Sequence, residues 1–443
     1  MIHSNTIFAL ATPLGKSGVA IIRISGKNAL DAAIALSSLD DFPHKQCVFT
    51  TITNSKGESI DQAIIIYFKA PHSFTGEDVI ELQIHGSIAI IKTIIGELEK
   101  IPNFRHATAG EFSKRAFLNN KLDLTQAEGL EDLINAETSI QLQQAINQLE
   151  GKFQRLIWQW RNQIIDIMAY IEAYIDFPDE DIPGEIYNDI TTQVSTLIQD
   201  LKNYLDDNNA GELIRSGIYV AISGKPNVGK SSLINFLAGR DIAIVSDIAG
   251  TTRDVIESTI DIEGIPVIFA DTAGIREAQD EIEKIGIEKT RKTLAKANIK
   301  INLFTLDDLP SLKEIDQLVK QDFICVVNKI DLDINQANIL AKNKNLILIS
   351  ALDGRGIDQL IGVIKGKLAF LNNPTNTPFI TRSRYRDHLK LAISYLQDYL
   401  NNQDIVLAAE DLRMSAREIE KISGKIDFEQ ILDKIFSSFC IGK

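Results

Sequence analysis

The sequence predicts a multidomain chain: an α+β N-terminal domain, an α-helical central domain and an α/β domain inserted into the helical one. Three observations predict it. β-type runs mix with short helical stretches up to about residue 120, and a long helical pattern with almost no Pro or Gly follows to about Asn209. From Gly217 to about Leu371 strands then alternate with helices, and after Pro374 the pattern is helical to the end. Alternation of that kind is the signature of a parallel sheet covered on both faces. Helical segments on either side of an α/β unit indicate insertion, which needs the two ends of the inserted unit to lie close together. The expected boundaries are 1–120, 121–211, 212–375 and 376–443.

Each element has a local reason. "VAIIRIS", "QAIIIYFKA" and "DVIELQIHG" are β-branched, alternating runs and read as strands. "PLGKSGVAIIRIS" holds a Gly-Lys-Ser that leads into a strand rather than a helix, so it reads as an ordinary loop. In "DFPDEDIPGE", Pro178 and Pro183 stop one helix before the next begins.

Composition narrows the function classes. With 44% hydrophobic and 24% charged residues the chain reads as folded throughout, and a net charge of −14 argues against a protein that coats nucleic acid non-specifically. Cys47, Cys325 and Cys440 are far apart with no CxxC pair, which fits a reducing compartment. The start "MIHSNTIFALATP" has no basic n-region, and no apolar run is long enough to span a bilayer. A cytoplasmic location away from membranes is the expectation.

The strongest chemical signal is "GIYVAISGKPNVGKSSLINFLAG", which sets Gly224, Gly229, Lys230 and Ser231 in the GxxxxGK[ST] spacing between a strand and a helix. Backbone N–H groups and the helix N-terminus then cradle phosphates, with Lys230 on the β and γ oxygens and Ser231 on Mg²⁺. The partners of such a loop follow in order: "AGTTRD" with Thr251 and Thr252, "DTAG" from Asp271 through Thr272 and Ala273 to Gly274, "NKID" at 328–331 and "SAL" at 350–352. Asp331 can accept two hydrogen bonds from guanine, an arrangement adenine cannot supply, so the expected nucleotide is GTP. Asn328 and Lys329 support the base pocket, and Ser350, Ala351 and Leu352 close it. Further nucleotide contacts are expected from Asn227, Val228, Gly229 and Ser232, and from Ser246, Asp247, Ile248, Ala249, Gly250, Thr251 and Thr252. The domain is thus an expected P-loop, Ras-like GTPase domain.

After "DTAG" stands Ile275, which can neither accept nor donate a hydrogen bond where Ras-like GTPases usually carry a water-orienting glutamine. Catalysis then needs another source of charge and another means of placing water. Asn227 offers an amide oxygen beside the phosphates for a monovalent cation, with the 246–251 loop folding over it. "EAQDEIEKIG" offers Glu277, Asp280, Glu281 and Glu283 for the water.

The stretches "SGKPNVGKSSLINFLAGRDIAIVSDIAGTTRDVIE", "DTAGIREAQDEIEKIGIEKT" and the terminal "IFSSFCIGK" closely resemble the MnmE (TrmE) family of tRNA-modification GTPases. The likeness runs along essentially the whole chain, including "FTGEDVIELQIHG" and "GEFSKRAFLNNKLDLTQAE". Leu14 and Ala109 stand where the family pattern has proline. The resemblance implies K⁺ held by Asn227, Ser246, Ile248 and Thr251, Mg²⁺ held by Ser231 and Thr252, and Glu283 as the water-orienting residue beside Lys230. It implies a tetrahydrofolate derivative (5-formyl or 5,10-methylene) on Arg23, Glu81, Lys121 and Lys443, bound by a domain that also forms the homodimer. The FAD-dependent protein MnmG, in a heterotetramer, is the implied partner in adding an aminomethyl-type group at C5 of the wobble uridine of certain tRNAs.

Several residues keep two readings. Cys440 is either a reactive thiol beside the folate or a small hydrophobe packed with Phe436 and Phe439. Arg382, Arg384, Arg386 and Lys390 around Tyr385 are either tRNA phosphate contacts or a solvated helix start. For the whole chain the alternatives are a ribosome-assembly or regulatory GTPase switch without modification chemistry, and a folate-dependent aminomethyl transferase with an added regulatory domain.

Overall fold

The computed structural model describes residues 5–176, 184–239, 243–244, 257–271, 293–371, 378–424, 439 and 442. Pro178 and Pro183 lie outside them. The chain forms two compact units, Met1–Glu131 with Gln148–Glu180 and Asn402–Lys443, and Asp132–Asn147 with Asp181–Asn401.

The first unit carries β1 (Thr6–Leu10), β2 (Ser17–Ser25), α1 (Ala29–Ala35), β3 (Cys47–Thr53), β4 (Ser59–Phe68), β5 (Val79–Gly86), α2 (Ile88–Leu98), β6 (Phe104–His106) and α3 (Glu111–Leu118). The sheet order is β3-β4-β5-β2-β1-β6. The three strand-like runs fall in β2, β4 and β5. In β4 Ala63, Ile65 and Tyr67 are buried on alternate positions, the period of two that a one-faced strand requires. They share a core with Ile91, Ile94 and Leu98 of α2 and with Ala29, Ala32 and Ala33 of α1. Gly15 and the exposed Lys16 precede β2 in a loop, so the second Gly-Lys-Ser leads into a strand.

Helices follow: α4 (Leu124–Asn135), α5 (Ser139–Leu149), α6 (Lys152–Asp176), α7 (Gly184–Leu205) and α8 (Ala210–Ser216). Asp123 caps α4, its Oδ1 accepting from the Gln126 backbone N–H at 3.0 Å.

The second unit then builds β7 (Ile218–Ser223), α9 (Lys230–Ala238), β8 (Ala243–Ile244), β9 (Glu257–Ile262), β10 (Ile265–Asp271), β11 (Ile299–Thr305), α10 (Leu312–Lys320), β12 (Phe323–Asn328), α11 (Ile334–Leu340), β13 (Leu346–Leu348) and α12 (Ile357–Leu368). Two long helices end the chain, α13 (Ser383–Asn401) and α14 (Ile405–Ser423). α7 packs on α13 in the second unit, and α6 on α14 in the first. The helices of 121–211 and 376–443 therefore divide between the units.

The sheet order is β13-β12-β11-β7-β10-β9-β8. Five strands are parallel, but β9 runs antiparallel to β10 and β8 antiparallel to β9. The all-parallel expectation is thus corrected to a mixed sheet. The reason is local: Glu263 and Gly264 both take positive φ, 56° and 84°, making a tight turn that returns the chain directly beside itself. Gly211 and Ile380, on either side of residues 212–375, meet: a Cβ on Gly211 would lie 2.3 Å from the carbonyl oxygen of Ile380.

Candidate functional site

The register of the parallel strands brings the nucleotide motifs to one edge. Asp271, at the end of β10, stands opposite Ile222 of β7, Asn302 of β11 opposite Ser223, and Asn328 of β12 opposite Thr305. The P-loop, the start of DTAG and the NKID loop therefore all leave the carboxyl ends of the parallel strands β7, β10 and β12, where α/β sheets bind ligands. Gly224 has φ 151° and a Cβ there would sit 2.3 Å from the Leu303 carbonyl oxygen; a Cβ on Gly229 would sit 2.3 Å from Asn328 Nδ2. Only glycine lets the loop pass this close to its neighbours.

Within the loop, Lys230 is buried, and its ammonium donates to the carbonyls of Gly224 and Lys225, each at 2.9 Å. A desolvated cation supported by carbonyl dipoles gains further from a phosphate anion. Lys225 itself pairs with Asp308. Asn227 is exposed, with φ 63°.

The base-reading loop is tied into this frame. Asn328 is buried, donates from Nδ2 to the Val228 carbonyl at 2.9 Å and accepts at Oδ1 from the Ala351 N–H at 3.0 Å. Ser350 is fully buried and its Oγ accepts from the Asp353 N–H at 3.3 Å, while Leu352 stands exposed. Lys329 takes φ 64° and lines, with Asn227 and Val228, a cleft of about 460 Å³. Asp331 Oδ1 is buried and has no hydrogen-bond partner. That is the acceptor a guanine N–H would fill.

A second constellation lies in the first unit. β2 and β5 pair so that Arg23 stands directly opposite Glu81, and the guanidinium reaches the carboxylate at 2.9 Å from Nε. Phe74 and Phe112 flank it, their ring centroids 5.7 and 5.8 Å from Arg23 Cζ. A third partner comes from the far end of the sequence, where the Gly442 carbonyl accepts from Arg23 at 3.4 Å. Phe439 packs with Leu124, Ala127 and Phe117. Lys121 donates to the Pro71 carbonyl at 2.8 Å and packs over Gly76, on the loop that carries Phe74. Of the proposed folate residues, the structure thus joins Arg23 and Glu81 directly and sets Lys121 against the adjoining loop.

Sequence reasoning missed the support beneath this site. Arg115 is buried and bridges Glu77 at 2.9 Å and Glu111 at 3.0 Å, and Glu77 in turn accepts from Ser25 at 2.8 Å. Burial pushes the Glu111 carboxyl up, but hydrogen bonds from Arg105, Thr108 and Arg115 outweigh it and hold the group at about 2. Glu111 and Arg115 stand at i,i+4 on α3, but no local motif marks the network as a whole, because Glu77 and Ser25 join it only across the fold.

The basic stretch before α13 is corrected as well. Arg382 Nη1 pairs with Asp132 at 2.8 Å, and Arg386, which is buried, pairs with Asp207 at 2.7 Å and Glu212 at 3.1 Å. Neither is a solvated helix start, since both guanidinium groups are paired with carboxylates of the fold. Arg384 lies over the Tyr385 ring at 4.9 Å, and Lys390 is exposed. Ser246 to Thr252, Thr272 to Gly274, Ile275, Glu277, Asp280, Glu281, Glu283, Phe436, Cys440 and Lys443 lie outside the described residues. Among the described residues no helix is long and apolar enough to cross a membrane.

The fold and its glycine loop define a P-loop nucleotide-binding protein. Residues 6–121 match the family described as GTP-binding protein TrmE N-terminus, and residues 124–440 the MnmE helical domain. A tRNA modification GTPase MnmE from Rickettsia bellii is 47% identical over 443 residues, 99% of this chain and 100% of that one. The protein of that name from Ehrlichia ruminantium is 46% identical over 441 residues, again 99% and 100% of the two chains. Among solved structures, a variant of Era from Aquifex aeolicus bound to GDP and AlF4⁻ matches 42% of this chain and 68% of that one at 26% identity and TM-score 0.26. The chain belongs to the MnmE family.

Proposed function

We propose that this chain is a tRNA modification GTPase: it hydrolyses GTP and, with the FAD-dependent partner MnmG, installs an aminomethyl-type group at C5 of the wobble uridine of certain tRNAs. The observation that carries the nucleotide half is the buried, unpartnered Asp331 oxygen on a loop bonded through Asn328 to the P-loop. In this reading the loop N–H groups and Lys230 hold the β and γ phosphates, Asp331 reads guanine, and Glu283 orients the attacking water.

The residues present suit the ions the family resemblance implies. Asn227 extends an exposed side chain that carries no hydrogen bond among the described residues, and an amide oxygen suits a hard cation. Ser231 follows Lys230 at the start of α9, the place of the magnesium-binding hydroxyl in a P-loop. Ser231 and Thr252 would hold Mg²⁺, and Asn227, Ser246, Ile248 and Thr251 would hold K⁺; the ions would supply positive charge where negative charge develops on the phosphates.

The one-carbon half rests on Arg23, Glu81, Lys121 and Lys443. A carboxylate suits a pterin edge and cations suit a glutamate tail. The Arg23–Glu81 pair, walled by two phenylalanines and capped by Gly442, fits a flat polar ligand beside the chain terminus. A helical domain and a homodimer complete the proposal. Mass analysis of wobble uridines in cells lacking the protein tests it: an unchanged modification profile overturns the reading in favour of a GTPase switch without modification chemistry.

A further inference from the structure

Within the first unit, both phenylalanines on Arg23 trace back to one buried charge. Arg23 gives Nε, at 2.9 Å, and Nη2, at 2.8 Å, to the same oxygen of Glu81, Oε1, which leaves Oε2 for a ligand. The guanidinium keeps that orientation only as long as its surroundings do. Phe112 comes from α3 and is fully buried, whereas Phe74 is half-buried and comes from the loop 69–78 between β4 and β5. Phe74 therefore stays in place only if its loop is fastened.

The fastening runs through Thr75 and Glu77. Ser25, two residues on from Arg23 and on the same face of β2, gives its one hydroxyl proton to Glu77 Oε2 at 2.8 Å. The Thr75 hydroxyl, 2.7 Å from Ser25 Oγ, is then the donor of that pair. The same Glu77 oxygen accepts from Arg115 Nη1 at 2.9 Å. Arg115 is 1% exposed and stands on α3 one turn after Phe112, and its Nη2 donates to Glu111 and to the Asn5 carbonyl, both at 3.0 Å. A buried guanidinium bonded to these three acceptors is held in one orientation, and it holds Glu77 in turn.

We propose that Arg115 is a positioning residue for the Arg23–Glu81 site: acting through Glu77, it holds Phe74 against Arg23 and so keeps Glu81 Oε2 open to the ligand. The inference rests on the reading of Arg23 and Glu81 as folate residues. Lysine cannot replace Arg115, because a single ammonium lacks the fork that reaches Glu77 and Glu111 at once. The contact at stake, a partly desolvated arginine against an aromatic ring, is worth roughly tenfold in affinity.

The test is calorimetric titration of the full chain with 5-formyltetrahydrofolate, run as a double-mutant cycle. Arg115→Lys and Phe74→Ala should each weaken binding by roughly tenfold, and the double variant should bind within about twofold of Phe74→Ala alone, because Arg115 then has no ring left to place. Glu77→Gln keeps the side chain's size and leaves Arg115 on Glu111. It should weaken binding severalfold and fall equally silent once Phe74 is replaced, whereas general damage to the unit would add to the loss of the ring. Additive losses in the Glu77 cycle, or undiminished binding by Arg115→Lys, would overturn the inference and leave the folate reading in place. Absence of binding by the unmodified chain would overturn that reading and this inference with it.

Discussion

Asn328 donates to the carbonyl of Val228 across 100 residues of sequence, so the base-reading loop and the P-loop form one hydrogen-bonded frame. The same side chain accepts from Ala351, adding the third nucleotide loop. Asn328→Ala should therefore lower GTP affinity by about tenfold or more, since two buried bonds worth roughly 1 kcal/mol each are lost and a buried carbonyl is stranded. Calorimetric titration with a non-hydrolysable GTP analogue checks it; unchanged affinity would show that the frame does not need this residue.

Asp331→Asn should turn the base preference from guanine toward xanthine, because the buried acceptor becomes an amide able to donate to the xanthine 2-oxygen. GTP affinity should drop by about two orders of magnitude or more while XTP affinity rises. Retained GTP binding would remove Asp331 from the base site.

Hydrolysis should run faster in K⁺ than in Na⁺ at matched ionic strength, and Asn227→Ala should lose that stimulation while Lys230 and the loop still hold the nucleotide. Glu283→Ala should slow turnover by roughly two orders of magnitude with little effect on affinity, as for a group used only in the transition state. Glu277→Ala is its control; like behaviour of the two would unseat Glu283.

Gly442 takes φ 97°, and a Cβ there would lie 2.3 Å from the Leu10 carbonyl oxygen. Gly442→Ala should thus push the terminal residues off Arg23 and weaken reduced-folate binding, while GTP affinity stays as it was. Equal folate affinity in the variant would separate the tail from the Arg23 site. Cys440→Ser, assayed for tRNA modification, decides between a reactive thiol and a packing role.

Acid should destabilise the first unit through Glu111. Its folded carboxyl sits at about 2, below the ordinary 4.5, so its contribution is present above the ordinary value and is lost as pH falls through the folded one. The loss should amount to about 3 kcal/mol as pH falls from 4.5 to 2. Glu111→Gln should remove that part of the pH dependence, measured by urea unfolding.

By itself the sequence determined the strand runs of the first domain, the P-loop and the order of the nucleotide motifs, because each is a local pattern: alternation along one strand, or glycines at fixed spacing before a helix. The antiparallel pairing of β9 with β10 escaped because the strand–helix alternation reads as crossovers throughout, whereas the two-residue turn at Glu263 and Gly264 leaves no room for a crossover helix. Tertiary structure alone decided what the charges do. Arg382 and Arg386 looked like a basic patch in sequence, yet their carboxylate partners lie 250, 179 and 174 residues away. Gly442 meets Arg23 across 419 residues. A charge's role depends on what faces it at 3 Å rather than on its chain neighbours, since ion-pair and hydrogen-bond energies fall off within a few ångströms.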